Sequence, residues 1–166
     1  MNEIQWKLWN MEDKKALDDA TDFKQLVNIA LAIISRMTGD AHMVSGPIST
    51  GGVGTVEGNG KVFANIIEIL IKDQGINIFS QMPFEEKMVK LYKEWFKNNP
   101  NEKYCRPILD DFYEPLFSSG KVKVLHFIHN WESSTSARWE NENCERWGIE
   151  KKYLSKELLI KALYFR

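Results

Sequence analysis

The segment from residue 122 to 128 constrains this chain more than any other. Val122, Val124, Leu125, Phe127 and Ile128 make it apolar almost throughout, interrupted only by Lys123 and His126. A strand with one wet face alternates between apolar and polar residues, whereas one that is apolar on both faces belongs at the centre of a parallel sheet. Parallel neighbours cannot be joined by a tight turn, so the remaining chain has to supply helical crossovers.

The apolar spacing elsewhere meets that requirement. Phe23, Leu26, Val27, Ala30, Ile33, Ile34 and Met37 recur at three- and four-residue steps behind Thr21 and Asp22, two candidate caps, with Gly39 as a stop. A short strand at 42–44 leads into a glycine-rich turn over 46–60, a buried helix over 62–73 ended by Gly75, and a second strand at 76–79. Phe84, Met88, Leu91, Tyr92, Trp95 and Phe96 mark a surface-packed helix, and residues 98–107, with two prolines, form a connector or lid. A helix over 108–117 precedes the central strand. A loop over 129–135 follows it, then a helix over 136–147 stopped by Gly148, an edge strand at 149–153 and a terminal helix capped by Ser155.

Strands alternating with helices predict a doubly wound α/β sheet with helices on both faces, whose ligands bind beyond the carboxyl ends of the strands. With 166 residues, 43% of them hydrophobic, the chain suits a single domain. Residues 1–40 read as an N-terminal helical extension, 41–155 as the α/β core and 156–166 as the terminal helix.

Charge narrows the partners. Lys and Arg total 22 against 23 for Asp and Glu, a net charge of -1, so no basic excess draws in a nucleic-acid polymer, while a small phosphate ester is compatible. Cys105 and Cys144 lack the paired spacing of a zinc site and read as free thiols of a reducing compartment. The N-terminus is polar and charged around Trp6 and Trp9, and no apolar run approaches the roughly 18 residues of a membrane span. The expectation is a cytoplasmic protein that engages no membrane and needs neither metal nor cofactor, since none of His42, His126 and His129 has ligand-like spacing.

Two loops leave the carboxyl ends of predicted strands. In the first, Gly46-Pro47-Ile48-Ser49-Thr50-Gly51-Gly52, the glycines let backbone N–H groups converge on an anion and the hydroxyls add donors. It lacks the lysine of a P-loop, and a loop whose glycines only turn the chain has the same composition. The second, residues 129–136, feeds a helix on which Ala137, Glu140, Cys144 and Trp147 share one stripe if Ser136 is the cap. Glu140 then faces inward near the helix N-terminus, where the macrodipole and loop hydroxyls would keep it ionised, oriented and partly desolvated, as a nucleophile should be. A structural salt-bridge or capping glutamate is the plainer alternative. Asp110 and Asp111 open another helix, either as solvated carboxylates or with one turned toward a sugar hydroxyl; periodicity does not choose between them. Trp131 and Trp139 flank the second loop as rim packing or as a surface for a base.

Gly46-Pro47-Ile48 after the first strand, paired with Ser134-Thr135-Ser136-Ala137-Arg138-Trp139-Glu140 after a later one, resembles the nucleoside 2-deoxyribosyltransferase superfamily, which includes nucleoside 5'-monophosphate N-glycosidases. The similarity covers roughly residues 42–150. It implies a flavodoxin-like (Rossmann-like) fold with 41–155 as a nucleotide-binding core, and double displacement through a covalent glycosyl ester on Glu140. It also implies an assisting Asp at Asp110 or Asp111, and a homodimer or larger homo-oligomer. The transferases carry Asp six residues before the nucleophile, where this chain has Ser134, as the monophosphate hydrolases do; a hydroxyl welcomes a phosphate that a carboxylate repels. The chain departs from both branches in having Ser136 and Ala137 where the turn before the nucleophile contains glycine. The expected activity is therefore N-glycosidic cleavage of a (deoxy)nucleoside 5'-monophosphate, held by Gly46, Ile48, Ser49, Gly51, Gly52, Ser134 and Ser136. The alternatives are base exchange by a 2-deoxyribosyltransferase and a non-catalytic nucleotide-binding or sensor module.

Overall fold

The structure is a computed structural model that describes residues 3–48 and 51–165. Three parallel strands, β1 (Ala41–Ser45), β2 (Val122–Phe127) and β3 (Glu150–Tyr153), pair in the order β1-β2-β3, with β2 at the centre. Met43 lies opposite Leu125, and Leu125 opposite Lys151. The strand expected at 76–79 shrinks to one parallel bridge between His42 and Ile78 on the outer side of β1. Around it the His42 N–H donates to the Asn77 carbonyl at 2.9 Å and the Phe79 N–H to the His42 carbonyl at 2.8 Å. The Ile78 N–H, on the side away from β1, bonds the Ile76 carbonyl at 3.0 Å.

Among the described residues seven α-helices surround the sheet: α1 (Met11–Asp19), α2 (Phe23–Ser35), α3 (Val56–Gln74), α4 (Glu85–Asn98), α5 (Glu114–Ser118), α6 (Thr135–Trp147) and α7 (Lys156–Leu163). Asp22 caps α2, accepting from the Gln25 N–H at 2.8 Å, and Ser155 caps α7, as their sequence positions predict. Two boundaries differ from expectation. Thr55 caps α3 by accepting from the Gly58 N–H at 3.0 Å, so Gly58 and Gly60 lie inside the helix rather than in the glycine loop. Ser134, not Ser136, caps α6. The stretch before α5 winds as a π-helical segment, Ile108–Tyr113. Pro115, lacking an N–H, cannot donate back into that turn, which accounts for the break in the regular ladder.

Side chains alternate across the sheet. Met43, Leu125 and Phe127 join Leu26, Ile33, Phe112 and Leu116 in the main core beneath α2, α5 and the π-helical segment. Val44 and Ile128 point the other way and pack with Phe63, Ile66, Ile67 and Ala162 of α3 and α7. Residues before β1 belong to the main core and cover their own sheet: Trp9 packs on Phe84 at 5.0 Å and on Trp6 at 4.9 Å. On the α3 face, His42 Nδ1 and His126 Nε2 are 2.9 Å apart, and burial, with His42 and Lys152 nearby, lowers His126 to about 4. Among the described residues no helix is long and apolar enough to cross a membrane.

From β1 the chain moves outward to Ile78 and then crosses back to β2 on the other side of β1. The direction of winding therefore reverses between β1 and β2. Doubly wound sheets open a crevice for ligands at the carboxyl ends of such a pair.

Candidate active site

Ser45 ends β1 at that reversal, on the same face as Met43, and its hydroxyl donates to the Glu140 carboxylate across from α6. Glu140 is 5% exposed. It lies in the second turn of α6, beyond the first-turn N–H groups that an N-terminal anion would use. Burial therefore dominates and raises its carboxyl to about 8, with the Ser45 hydrogen bond as the opposing influence. This corrects the sequence expectation of an ionised group: at neutral pH the free protein holds Glu140 largely protonated. One turn further on, burial and the Glu140 charge push the Cys144 thiol up to about 12. Ser45→Ala is expected to raise the Glu140 carboxyl further still, because the one donor that stabilises its anion is gone; a 13C-detected titration of the glutamate carboxyls reads the change.

A cavity of about 40 Å³ nearby is lined in part by Ile48, Glu85, Met88, Tyr104, Tyr113 and Ser136; Glu140 does not line it, but its charge reaches Tyr104 and Tyr113. Ser136, one turn before Glu140 on α6, also hydrogen-bonds Tyr104. The hydroxyls of Tyr104 and Tyr113 are both held above the usual phenol range, first by burial and then by the charges of Glu85 and Glu140. Gln81 lies beside Tyr113; its amide nitrogen donates to the Val44 carbonyl at 2.9 Å, while its buried Oε1 meets no hydrogen-bond partner among the described residues. Burial raises Glu85 to about 7. The site thus joins two carboxyls with perturbed protonation to two phenols in an enclosed space, a combination that marks functional centres more often than structural ones. A larger hollow of about 480 Å³ near Trp6 and Lys14 is a surface groove with no such convergence.

Glu85 is absent from the sequence-based set, although its spacing places it there: Glu85, Met88 and Tyr92 step by three and four along one face of α4. The structure does not bring Asp110 or Asp111 to this cavity. Asp110 is exposed and pairs with Arg106 at 2.9 Å, and Asp111 adds its charge to the burial that raises the Cys105 thiol. Leu109, Phe112 and Tyr113, continued by Leu116 and Phe117, face inward at ordinary three- and four-residue helical steps, so Tyr113 rather than an aspartate lines the cavity.

The glycine loop meets the 129–134 loop across the crevice. Gly51 and Gly52 are exposed, with φ of 71° and 66°, and a Cβ on either would collide with Ser133 or Asn59 respectively. The Gly52 N–H donates to Ser133 Oγ at 2.9 Å, and the Val53 N–H to Asn59 Oδ1 at 2.8 Å. Ser133 Oγ in turn donates to the Asn130 carbonyl at 2.8 Å, clasping the two loops together. Ser134, expected to meet a phosphate, is buried as the α6 cap and accepts from the Ala137 N–H at 3.3 Å. Gly46 serves packing, since its backbone lies directly against Ile128. Ser49 lies outside the described residues. Trp131 packs on Phe127 at 5.4 Å and Trp139 on Trp147 at 5.2 Å, the rim-packing alternative. Among the described residues no three His, Cys, Asp or Glu side chains are grouped so as to hold a metal ion.

Comparison of the chain with family models, curated proteins and solved structures gives no match.

Proposed function

We propose that this chain cleaves the N-glycosidic bond of a (deoxy)nucleoside 5'-monophosphate, with Glu140 as the carboxylate that attacks the anomeric carbon. The observation that carries the proposal is the Glu140 carboxyl itself, buried at the carboxyl end of β1 where the winding of the sheet reverses. An inward carboxyl with one hydroxyl partner costs stability, and such costs persist where chemistry uses the group. The resemblance of residues 134–140 to the nucleoside 2-deoxyribosyltransferase superfamily supplies the reaction: attack by the anion forms a glycosyl ester and frees the base, and water then releases the sugar phosphate with retention.

The 5'-phosphate is assigned to the junction of the two loops. Gly51 and Gly52 are exposed there, and a phosphate oxygen, a stronger acceptor than a hydroxyl, would replace Ser133 on the Gly52 amide. The cavity of about 40 Å³ holds little more than a water molecule, which occupies about 30 Å³ in the liquid, so the cavity has to widen when sugar and base bind. A cytoplasmic setting and homo-oligomerisation belong to the same proposal; Ile160, Leu163 and Tyr164, exposed at the C-terminal end, supply apolar surface for a second copy.

Incubation with a panel of nucleosides and their 5'-monophosphates, followed by chromatography for free base, tests this. Base is expected from monophosphates faster than from the parent nucleosides, and silence across the whole panel overturns the activity. Adding a second free base separates hydrolysis from transfer, since only a transferase returns an exchanged nucleoside. One observation favours a non-catalytic nucleotide-binding module instead: the loop amides are already satisfied by Ser133 and Asn59. Calorimetric binding without product identifies that case.

A further inference from the structure

We propose that Glu85 is the proton donor and acceptor of this site: it protonates the departing base and then removes a proton from the attacking water. The assignment rests on the N-glycosidic activity proposed above and adds a second catalytic residue to it. Glu85 opens α4 immediately after Phe84, which is fully buried and packs against Trp9 at 5.0 Å and Phe112 at 5.5 Å, so the start of the helix is fixed in place. Its side chain lines the same cavity as Tyr104, Tyr113 and Ser136. Both phenols feel the charges of Glu85 and Glu140 together, which places the phenols within electrostatic reach of both carboxyls. Among the described residues no Lys, Arg or His forms an ion pair with Glu85, whereas Glu86, its neighbour in the chain, is exposed and bonded to Lys90 at 3.0 Å. The titratable groups that share the cavity lining with Glu85 are Tyr92, Tyr104 and Tyr113, and the charge of Glu140 reaches the last two.

The division of labour follows from burial. Glu140, fully enclosed, forms the ester, while Glu85, half-buried in the cavity lining, retains access to water. In the first step the bond between the anomeric carbon and the base nitrogen breaks, its electron pair stays on the base, and the Glu85 proton neutralises that nitrogen as Glu140 bonds to the sugar. In the second step the Glu85 carboxylate takes a proton from water, the water oxygen bonds to the anomeric carbon, and the ester electrons return to Glu140.

The test compares wild-type, Glu85→Gln and Glu85→Asp proteins on whichever monophosphate the wild type turns over, with kcat/KM measured from pH 5.5 to 9.5. The wild-type profile is expected to fall on its alkaline side as the acid loses its proton. Glu85→Gln is expected to lose roughly 10²- to 10⁴-fold together with that alkaline limb, while Glu85→Asp recovers part of the rate and restores the limb. A residue that merely shapes the cavity lowers the rate equally at every pH; a Glu85→Gln profile of unchanged shape, or a loss below tenfold, overturns the assignment. Failure of the wild type to release any base is a failure of the proposed activity and is distinguishable from an active wild type whose Glu85 variants behave like it. Thermal melts of both variants show whether the fold is intact, and Glu85→Asp decides the matter if Glu85→Gln does not fold.

Discussion

Glu140→Gln is expected to abolish base release, by roughly 10³-fold or more, while making the protein more stable in alkaline solution. The first effect follows from the loss of the attacking oxygen, because an amide cannot form the glycosyl ester. The second follows from burial. The folded chain keeps this carboxyl protonated up to about 8, against an ordinary value of 4.5. Between those values the folded state binds a proton that the unfolded state has released, so stability falls as pH rises from 4.5 to 8 and then levels off. Each pH unit in that window is worth about 1.4 kcal/mol, so the full penalty is on the order of 5 kcal/mol. Glutamine keeps an oxygen to accept the Ser45 hydroxyl and has no proton to lose. Denaturant melts at pH 5 and pH 8.5 should show the variant close to wild type at the lower pH and clearly more stable at the higher. A variant destabilised at both, or one that still releases base, contradicts the assignment of Glu140 as nucleophile. With Glu85 near 7 and Glu140 near 8, the active form, Glu140 ionised and Glu85 protonated, is a minor species that peaks between the two values, so kcat/KM is expected to be bell-shaped, falling below about 7 and above about 8.

Gly46→Ala and Gly60→Ala should move stability in opposite directions. A Cβ at Gly46 lies 2.7 Å from Ile128 Cδ1 and 2.9 Å from both Ile128 Cβ and Cγ1. Ile128 is 2% exposed and packs with Val62 and Ile66, so it has nowhere to retreat. Overpacking of this kind costs about 2–3 kcal/mol, or roughly 5–10 °C in Tm. At Gly60, inside α3, the nearest atom is Met82 Cε at 3.8 Å, an ordinary contact. There alanine relieves the helix of glycine and is expected to add about 0.5–1 kcal/mol. Ile128→Ala in the Gly46→Ala background should recover part of the loss, a coupling that a double-mutant cycle measures. Equal melting temperatures for Gly46→Ala and wild type contradict the close approach.

Much of the fold was legible from residue spacing. The apolar run over 122–128 required a central parallel strand, and β2 is one; Asp22 and Ser155 cap helices where hydroxyl or carboxylate followed by apolar steps said they should. The misses have local causes. Ile76 to Phe79 has strand composition, yet composition cannot show that its pairing with β1 will be a single bridge. Ser134 and Ser136 are both competent caps two residues apart, and the choice fell to the loop geometry that carries Ser133 across to Gly52. A glycine run weakens any helical signal, so the early start of α3 at Val56 depends on Thr55 capping Gly58 and on Asn59 bonding the Ile48 and Gly51 carbonyls.

The sequence alone determined that Glu140 faces inward, because helical spacing from Ala137 to Cys144 leaves that stripe no other side to occupy. It also determined the layered α/β architecture, since period and apolarity are properties of the chain. Only the tertiary structure decided what Glu140 meets and in which charge state. Ser45 is 95 residues away, Glu85 arrives from another helix, and the packing of the 108–117 segment puts Tyr113 rather than Asp110 or Asp111 at the cavity. Protonation depends on how completely water is excluded from a carboxyl. That exclusion comes from the whole packed shell around Glu140, and no local pattern of residues records it.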